Sequence, residues 1–186
     1  MGRYLTLKRA VFLDRDGVIN RAIVRDGKPY PPASIHETII VPGAESSLSR
    51  LKHLGFLLVV VTNQPDVARQ AVGQDVVEEI HQFLSSHLPL DDFFVCYHDD
   101  KDRCDCRKPL PGLLLNAAAK YKLDVKGSYL IGDRWRDIEA GVAAGCRTVL
   151  IDHHYEERRA RNGPNVNVSS LSEAVDWITK QETESN

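Results

Sequence analysis

Short apolar segments recur along the chain, rich in Val, Ile, Leu and Phe and without regular alternation of polar residues. Such segments are typical of strands that are buried on both faces of a parallel sheet. The pattern predicts five strands: Ala10 to Leu13, Phe56 to Val61, Phe93 to Tyr97, Ser128 to Ile131 and Thr148 to Ile151.

The segments between these strands carry apolar residues at helical spacing. The first helix is expected to follow Pro42-Gly43 and to stop at Gly55, a residue suited to a helix C-terminus. Alternating strands and helices predict an α/β fold whose parallel sheet is covered on both faces, because each parallel connection needs a crossover. Further helices are predicted over Gln74 to Leu88, Pro111 to Tyr121, Asp137 to Ala144 and Leu171 to Thr179.

Length and composition fit a single domain. The 186 residues, 42% of them hydrophobic, can bury one sizeable core, so residues 1–186 are predicted to form one domain. Residues 21–40, with three prolines, are expected to be a long irregular connection. Residues 179–186 are expected to be a flexible tail.

The charge of the chain bears on its partners. Lys and Arg number 24 against 26 Asp and Glu, a net charge of -2, so no large positive field attracts nucleic acid or an anionic membrane. The sequence contains neither a signal-peptide pattern nor a stretch of about 18 apolar residues. We therefore expect a cytoplasmic monomer that acts on a small molecule, without a nucleic-acid or membrane partner.

Acidic residues stand where the predicted strands end. Asp14 and Asp16, followed by Gly17, come directly after the first strand, and Asp133 follows the fourth. Ligands of open parallel sheets bind beyond the carboxyl ends of the strands, so these side chains are expected to meet. A pair such as Asp14 and Asp133 suits a hard divalent cation such as Mg²⁺.

Each of these features has an ordinary structural explanation when it stands alone. An Asp-x-Asp-Gly segment is a common end to a strand, Asp137 suits a helix N-cap, and Lys108 suits a solvated surface. Their joint placement at strand ends and loop starts makes that explanation unlikely for all of them together. The sequence therefore favours a functional site at this edge of the sheet.

Four segments of the chain, taken together, resemble the four motifs of the haloacid dehalogenase superfamily of phosphatases. The matching segments are Val11 to Val18, Val60 to Asn63, Arg107 to Pro109, and Gly132-Asp133 with Asp137. The resemblance implies a Rossmann-like, doubly wound sheet with strand order 5-4-1-2-3. It also implies a capless site, because neither gap in which large cap domains insert has room for one.

The resemblance implies roles for the matched residues. Asp14 would be the nucleophile and Asp16 the general acid and then base, so that hydrolysis passes through an aspartyl phosphate. Thr62 and Lys108 would hold the transferring oxygens, and Asp137 would support them. The magnesium ligands would be Asp14, Asp16 and Asp133.

A second metal is indicated by sulfur and imidazole ligands in one short loop. Cys96, His98, Cys104 and Cys106 lie within eleven residues. Three thiolates and one imidazole satisfy tetrahedral Zn²⁺ and leave no open position, so a structural zinc is predicted. Cys146, the remaining cysteine, is expected to be a small core residue.

The zinc loop narrows the resemblance to the branch that contains heptose-bisphosphate and histidinol-phosphate phosphatases. The resemblance favours a heptose 1,7-bisphosphate of heptose biosynthesis, cleaved at its primary 7-phosphate, over histidinol phosphate. Pro65-Asp66 departs from the usual heptose pattern at one substrate-facing turn. The substrate-binding residues are expected to be Asn20, Asn63, Gln64, Arg107 and Arg134.

Other classes of function remain alternatives. A nucleic-acid end phosphatase of the same superfamily is disfavoured by the net charge of -2. A zinc-stabilised binding module without activity would not need the acidic residues. His153-His154 and the arginines at 158, 159 and 161 are interpreted as a solvated loop and a charged helical face, and Trp135 as packing either over or behind the site.

Overall fold

A computed structural model of the protein describes residues 7–184. The strands are β1 (Ala10–Leu13), β2 (Ile23–Arg25), β3 (Lys28–Tyr30), β4 (Leu57–Asn63), β5 (Asp92–Cys96), β6 (Tyr129–Gly132), β7 (Arg147–Ile151) and β8 (Val166–Val168). The helices are α1 (Ala44–His53), α2 (Gln74–His87), α3 (Gly112–Tyr121), α4 (Trp135–Ala144) and α5 (Leu171–Glu184). Short 3₁₀ turns cover Ile35–Glu37 and Asp100–Asp102.

Six strands form one parallel sheet in the order β5-β4-β1-β6-β7-β8. Its first five strands have the predicted order, so the predicted doubly wound α/β fold is confirmed. The sixth strand, β8, was not predicted, because its three residues are too short to give a hydrophobic pattern. It pairs with β7 at the sheet edge.

The two faces of the sheet bury two separate apolar clusters. In β1, Val11 and Leu13 belong to the cluster covered by α1, α2 and α5. Ala10 and Phe12, on the opposite face, belong to the cluster covered by α3 and α4. All four side chains are completely buried. The central strand is therefore apolar at every position, which explains the absence of alternation in its sequence.

The connection over residues 21–40 is more regular than predicted. It contains the antiparallel hairpin β2–β3, with Ile23 opposite Tyr30. Asp26 and Gly27 form its turn with φ values of 48° and 68°. An Asp-Gly pair between two β-prone segments is a strong hairpin signal, because both turn residues need positive φ. Between β1 and α1 the chain has no other strand pairing beyond isolated bridges at Asn20, which agrees with the expected absence of a large cap.

The tail predicted from residue 179 is wrong for residues 180–184, which continue α5 to Glu184. Glu182 anchors this last turn, since its carboxylate accepts a hydrogen bond from the Tyr129 hydroxyl at 2.8 Å and pairs with Arg9 at 2.6 Å. Polar anchoring of this kind leaves no apolar signal in the sequence. Residues 185 and 186 lie outside the described part of the chain. Within residues 7–184, no helix is long and apolar enough to cross a membrane.

Candidate active site and metal centres

The acidic site lies at the carboxyl ends of the three central strands. β1 is paired with β4 on one side and β6 on the other, with Leu13 opposite both Val60 and Ile131. The next residue, Asp14, donates its main-chain N–H to the Ile131 carbonyl at 2.9 Å. The predicted convergence of Asp14 and Asp133 therefore follows from the strand register.

Lys108 is the buried cation of the site. Its Nζ donates to Asp14 Oδ1 at 2.7 Å, to Asp137 Oδ1 at 2.5 Å and to the Val61 carbonyl at 2.7 Å. The two carboxylates raise the pKa of Lys108 above its usual value against the opposing effect of burial. Lys108 is thus a fixed positive charge, and the supporting role expected of Asp137 is to hold it.

Asp14 has a raised pKa. Burial chiefly, together with the neighbouring Asp137 and Asp16, raises it to about 6 against the opposing charge and hydrogen bond of Lys108. A group with that pKa is still mainly ionised at neutral pH. Asp14 therefore remains available as a carboxylate nucleophile.

Asp133 completes a group of three carboxylates. Side-chain oxygens of Asp14, Asp133 and Asp137 all lie within 4.8 Å of one another. Both oxygens of Asp133 are buried without a hydrogen-bond partner of ordinary geometry in residues 7–184. Burial and the two neighbouring carboxylates raise the pKa of Asp133, while the Tyr155 hydroxyl partly offsets that rise. Hard oxygen ligands with unsatisfied negative charge fit Mg²⁺.

Gly17 makes room for this group. Its φ is +89°, and a Cβ at this position would overlap the carboxylate of Asp133. The imidazole Nε2 of His153 lies 2.8 Å from the Gly17 carbonyl and fixes the same turn. The neighbouring His154 side chain is 88% exposed. The solvated-loop interpretation thus holds for His154, whereas His153 contacts the active-site turn.

Asp16 lines the same cavity as Asp14, and both of its carboxylate oxygens accept hydrogen bonds. Oδ1 accepts from Arg15 Nε at 3.1 Å and from Asn20 Nδ2 at 2.9 Å, and Oδ2 accepts from Gln64 Nε2 at 2.9 Å. The magnesium set expected from the sequence, Asp14, Asp16 and Asp133, stays a prediction, and its side chains do not all fall in one cluster. The structure groups Asp137, not Asp16, with Asp14 and Asp133.

Two residues expected to bind substrate lie behind Asp16 instead. Asn20 is completely buried and Gln64 is 2% exposed, and neither lines the cavity. Gln64 Nε2 also donates to Thr62 Oγ1 at 2.9 Å. The amides of Asn20 and Gln64 hold Asp16 and Thr62, and direct contact of these two residues with substrate stays a prediction.

Asn63 lines the cavity but also holds the main chain of Lys108. Its Nδ2 donates to the Lys108 carbonyl at 3.0 Å, and its Oδ1 accepts from the Lys108 N–H at 3.1 Å. Both ends of the amide are therefore engaged. The arrangement fixes the loop from which Lys108 reaches Asp14.

A cavity of about 220 Å³ opens above Asp14. The hairpin residues Lys28 to Tyr30 form one side, and Arg107, Arg134 and Arg136 lie at the rim. Each arginine is held by an acid, as shown by Arg107 Nε at 2.8 Å from Asp100 Oδ1 and by the Arg134–Glu157 pair. Arg136, which pairs with Asp100 at 3.3 Å, was missed in the sequence because a basic residue beside a helix start carries no signal of its own.

Trp135 lies outside this cavity. The Arg158 guanidinium lies over its ring, 3.3 Å from the centroid, and that of Arg136 lies 4.6 Å from the centroid. Arg158 also pairs with Glu139 at 2.7 Å. Arg158 belongs to a loop between β7 and β8, so the expected charged helical face is wrong.

The four predicted zinc ligands meet at one point. Cys104 Sγ lies 3.7 Å from Cys96 Sγ and 3.5 Å from Cys106 Sγ. His98 Nδ1 lies 3.6 Å from Cys96 Sγ and 3.3 Å from Cys106 Sγ. Tetrahedral Zn²⁺ with ordinary bond lengths separates sulfur ligands by about 3.8 Å and sulfur from nitrogen by about 3.6 Å. The geometry therefore fits the metal. Cys146 is buried apart from this group, as expected.

The doubly wound sheet, the carboxylate cluster at its strand ends and the buried lysine are together the arrangement that the resemblance to the haloacid dehalogenase superfamily implies. A sequence profile of the HAD-hydrolase-like family matches residues 105–174. The chain is 34% identical over 148 residues to D-glycero-beta-D-manno-heptose-1,7-bisphosphate 7-phosphatase of Bordetella bronchiseptica, covering 77% of this chain and 80% of the relative. It is 33% identical to the enzyme of that name from Escherichia coli K12, covering 91% and 87%. The chain belongs to this family of HAD phosphatases.

Solved structures agree with the sequence relatives. The crystal structure of D,D-heptose 1,7-bisphosphate phosphatase from B. bronchiseptica, complexed with magnesium and phosphate, has a TM-score of 0.75 and 28% identity, covering 93% of this chain and 99% of that one. The corresponding enzyme from Burkholderia thailandensis has a TM-score of 0.64 and 25% identity, covering 92% and 99%. The predicted relationship to the haloacid dehalogenase superfamily is confirmed.

Proposed function

We propose that this protein is a magnesium-dependent phosphatase that removes the 7-phosphate of D-glycero-β-D-manno-heptose 1,7-bisphosphate. The observation that carries the proposal is the contact of Lys108 with both Asp14 and Asp137, beside the unpartnered oxygens of Asp133. The names of the relatives supply the substrate and its β configuration. Heptose biosynthesis is the corresponding process.

In the proposed first step, a carboxylate oxygen of Asp14 attacks phosphorus and the bond from phosphorus to the sugar oxygen breaks. Asp16 gives its proton to the leaving alkoxide. Water then attacks the aspartyl phosphate, Asp16 takes a proton from it, and free phosphate and the Asp14 carboxylate are restored. Each step transfers one phosphoryl group and one proton.

The remaining residues of the site would stabilise the negative charge of the phosphate groups. Lys108 and the Thr62 hydroxyl would hold the equatorial phosphoryl oxygens, where negative charge accumulates. Mg²⁺, held by Asp14 and Asp133, would supply further positive charge when bound. The three rim arginines would receive the second phosphate, because guanidinium groups pair well with phosphate oxygens.

Histidinol phosphate is the less favoured substrate. Its ammonium group would need a free acid, and Asp66 is a candidate for that role. Asp66 lines the cavity, but its Oδ1 lies 3.2 Å from Arg69 Nη1. That pairing leaves Asp66 less available to an ammonium group.

We also propose a structural zinc held by Cys96, His98, Cys104 and Cys106. Arg107 and Lys108 follow the last ligand directly, so the metal would fix the loop that delivers both side chains to the cavity. Thiolate ligands need a reducing compartment, which supports a cytoplasmic location.

The substrate is tested by comparing kcat/KM for the heptose bisphosphate and for histidinol phosphate at saturating magnesium. We expect a preference of at least about a hundredfold for the heptose, since the rim pairs with a second phosphate through charge-assisted hydrogen bonds. Arg136→Met should reduce activity on the bisphosphate more than on the corresponding monophosphate. A preference for histidinol phosphate would refute the substrate and leave the phosphatase chemistry standing.

A further inference from the structure

Asp16 is held by an arginine that is itself completely buried. Arg15 Nε lies 3.1 and 3.2 Å from the two carboxylate oxygens of Asp16, and Nη2 lies 3.1 Å from Oδ2. The Arg15 side chain is 0% exposed. The orientation of Asp16 therefore depends on whatever fixes this guanidinium.

The other side of the guanidinium contacts His81 of α2. Nη1 of Arg15 lies 3.1 Å from His81 Nε2, and no other partner of Nη1 is found in residues 7–184. Arginine can only donate, so Nε2 must accept and His81 must be neutral with its proton on Nδ1. Nδ1 faces the Glu78 carboxylate at 3.6 Å.

The imidazole is held firmly in this position. His81 is 4% exposed, and its ring stacks on Phe93 with centroids 4.5 Å apart and planes at 24°. Glu78 in turn accepts a hydrogen bond from the Tyr97 hydroxyl. A continuous chain of contacts thus runs from the surface of α2 through His81 and Arg15 to Asp16.

We infer that His81 is a positioning residue for the proton transfer at Asp16 and acts through Arg15. The inference rests on the proposed function, in which Asp16 protonates the leaving sugar oxygen. Without an acceptor at position 81, a buried Arg15 donor is left unsatisfied, and the guanidinium moves to recover a partner. Asp16 moves with it, and general acid catalysis requires hydrogen-bond geometry at the reacting oxygen.

Two substrates with different leaving groups distinguish this positioning role from a general structural defect. An alkoxide departs poorly without a proton, whereas the nitrophenolate of p-nitrophenyl phosphate departs without one. The ratio kcat/KM reports steps only through departure of the leaving group. Misplacement of Asp16 should therefore lower kcat/KM for the sugar phosphate and spare that for the aryl phosphate.

The experiment compares His81→Leu and His81→Gln with the unmodified protein on heptose bisphosphate and p-nitrophenyl phosphate. His81→Leu should lower kcat/KM for the sugar phosphate by about 10- to 100-fold, within the contribution of a positioned acid, and for the aryl phosphate by less than about threefold. His81→Gln, whose amide oxygen can accept from Arg15, should recover most of the loss. If His81→Leu does not fold, His81→Asn replaces it, because its shorter amide does not reach Nη1.

Two control variants test for general packing damage and for the proposed role of Asp16. Leu84→Val alters a buried position one turn later on α2 without touching Arg15, and should affect both substrates equally. Asp16→Asn should show the strong leaving-group dependence, and if it does not, the proposed general acid is wrong. If Asp16→Asn shows that dependence while His81→Leu shows none, whether through unchanged activity or an equal loss on both substrates, the positioning role is overturned.

Discussion

Gly17 illustrates how one missing side chain permits the metal site. Its positive φ and the overlap that an added Cβ would make with Asp133 are both properties of this turn, whereas Gly55 has a similar φ of +86° with nothing within 4 Å of its Cβ position. The two glycines therefore separate backbone strain from crowding. Only a Cβ at position 17 would crowd Asp133, the proposed magnesium ligand.

Gly17→Ala is predicted to raise the magnesium concentration for half-maximal activity by at least about tenfold, because the added Cβ displaces the Asp133 carboxylate. A tenfold loss of affinity corresponds to about 1.4 kcal/mol of binding free energy. Gly55→Ala is the matched control. Both substitutions should lower stability by about 1 kcal/mol through their positive φ, and Gly17→Ala should lower it further because its Cβ overlaps Asp133. A magnesium titration of activity together with urea unfolding measures both effects. Equal magnesium requirements in the two variants would contradict the proposed crowding at Asp133.

His81 also links stability to pH. Burial, chiefly, and the positive charge of Arg15 lower the pKa of His81 to about 4, while Glu78 and Asp16 oppose the shift. The unfolded side chain has a pKa of about 6.5. Above pH 6.5 both states are neutral, and between pH 6.5 and 4 the unfolded state binds more protons. The stabilising contribution is thus present at neutral pH and lost as pH falls.

The free energy of unfolding of the unmodified protein should therefore fall relative to that of His81→Gln by about 2 kcal/mol between pH 7 and 5. Glutamine does not titrate, and acid release of zinc affects both proteins alike. Urea unfolding at matched pH values measures the difference. Parallel pH dependences of the two proteins would show that His81 is not held neutral in the fold.

Sequence motifs predicted which residues would meet at this edge of the sheet. Asp14 and Asp133 lie together because strand order and register dictate where strand ends meet, and Lys108 reaches Asp14 from the loop before α3. Asn20 and Gln64 follow the first two motifs closely in sequence, but the direction of a side chain near a strand end depends on neighbours that are distant in sequence. Gln64 points to Asp16 across 48 residues, which no local pattern encodes.

At the scale of elements, the hairpin β2–β3 and the loop that carries the proposed zinc ligands both line the cavity. The Gly27 carbonyl accepts from the Glu156 N–H at 2.9 Å, which attaches the hairpin to the β7–β8 loop. The Asp26-Gly27 turn could have been predicted from the sequence, whereas this contact between distant loops could not. β8 was missed for a related reason, because a three-residue edge strand is defined by its pairing with β7.

The zinc loop is predicted to support activity through Lys108. Cys104→Ser should lower bound zinc from one per chain to well below one, reduce the melting temperature and reduce kcat, because the loop before Lys108 loses its metal. Cys146→Ser is the control, since this cysteine lies outside the ligand group. Elemental analysis and thermal unfolding measure the outcome. Zinc-free, fully active Cys104→Ser protein would refute the structural role.

At the scale of the whole molecule, two metals are proposed to serve separate regions of one sheet edge. The carboxylates follow β1 and β6, whereas the zinc ligands begin at the end of β5. The two groups differ in hardness, so oxygen ligands favour Mg²⁺ and thiolates favour Zn²⁺. Their occupancies should therefore respond independently to chelation.

Brief dialysis against a weak chelator is predicted to abolish turnover while leaving zinc bound, and added magnesium should restore turnover. The reason is that magnesium bound by a few carboxylates exchanges readily, whereas a closed thiolate site retains its zinc. Activity assays paired with elemental analysis test this. Restoration by zinc alone would contradict the division of roles.

The central claim is the phosphoryl intermediate on Asp14. The direct measurement is a rapid quench in acid of excess enzyme with heptose bisphosphate labelled in its 7-phosphate, followed by peptide mapping of one sample and hydroxylamine treatment of a parallel sample. The account predicts transient, hydroxylamine-labile label on the peptide that contains Asp14, and neither label nor turnover in a folded Asp14→Asn variant. Label on a different residue, or near-normal turnover by Asp14→Asn, would contradict it.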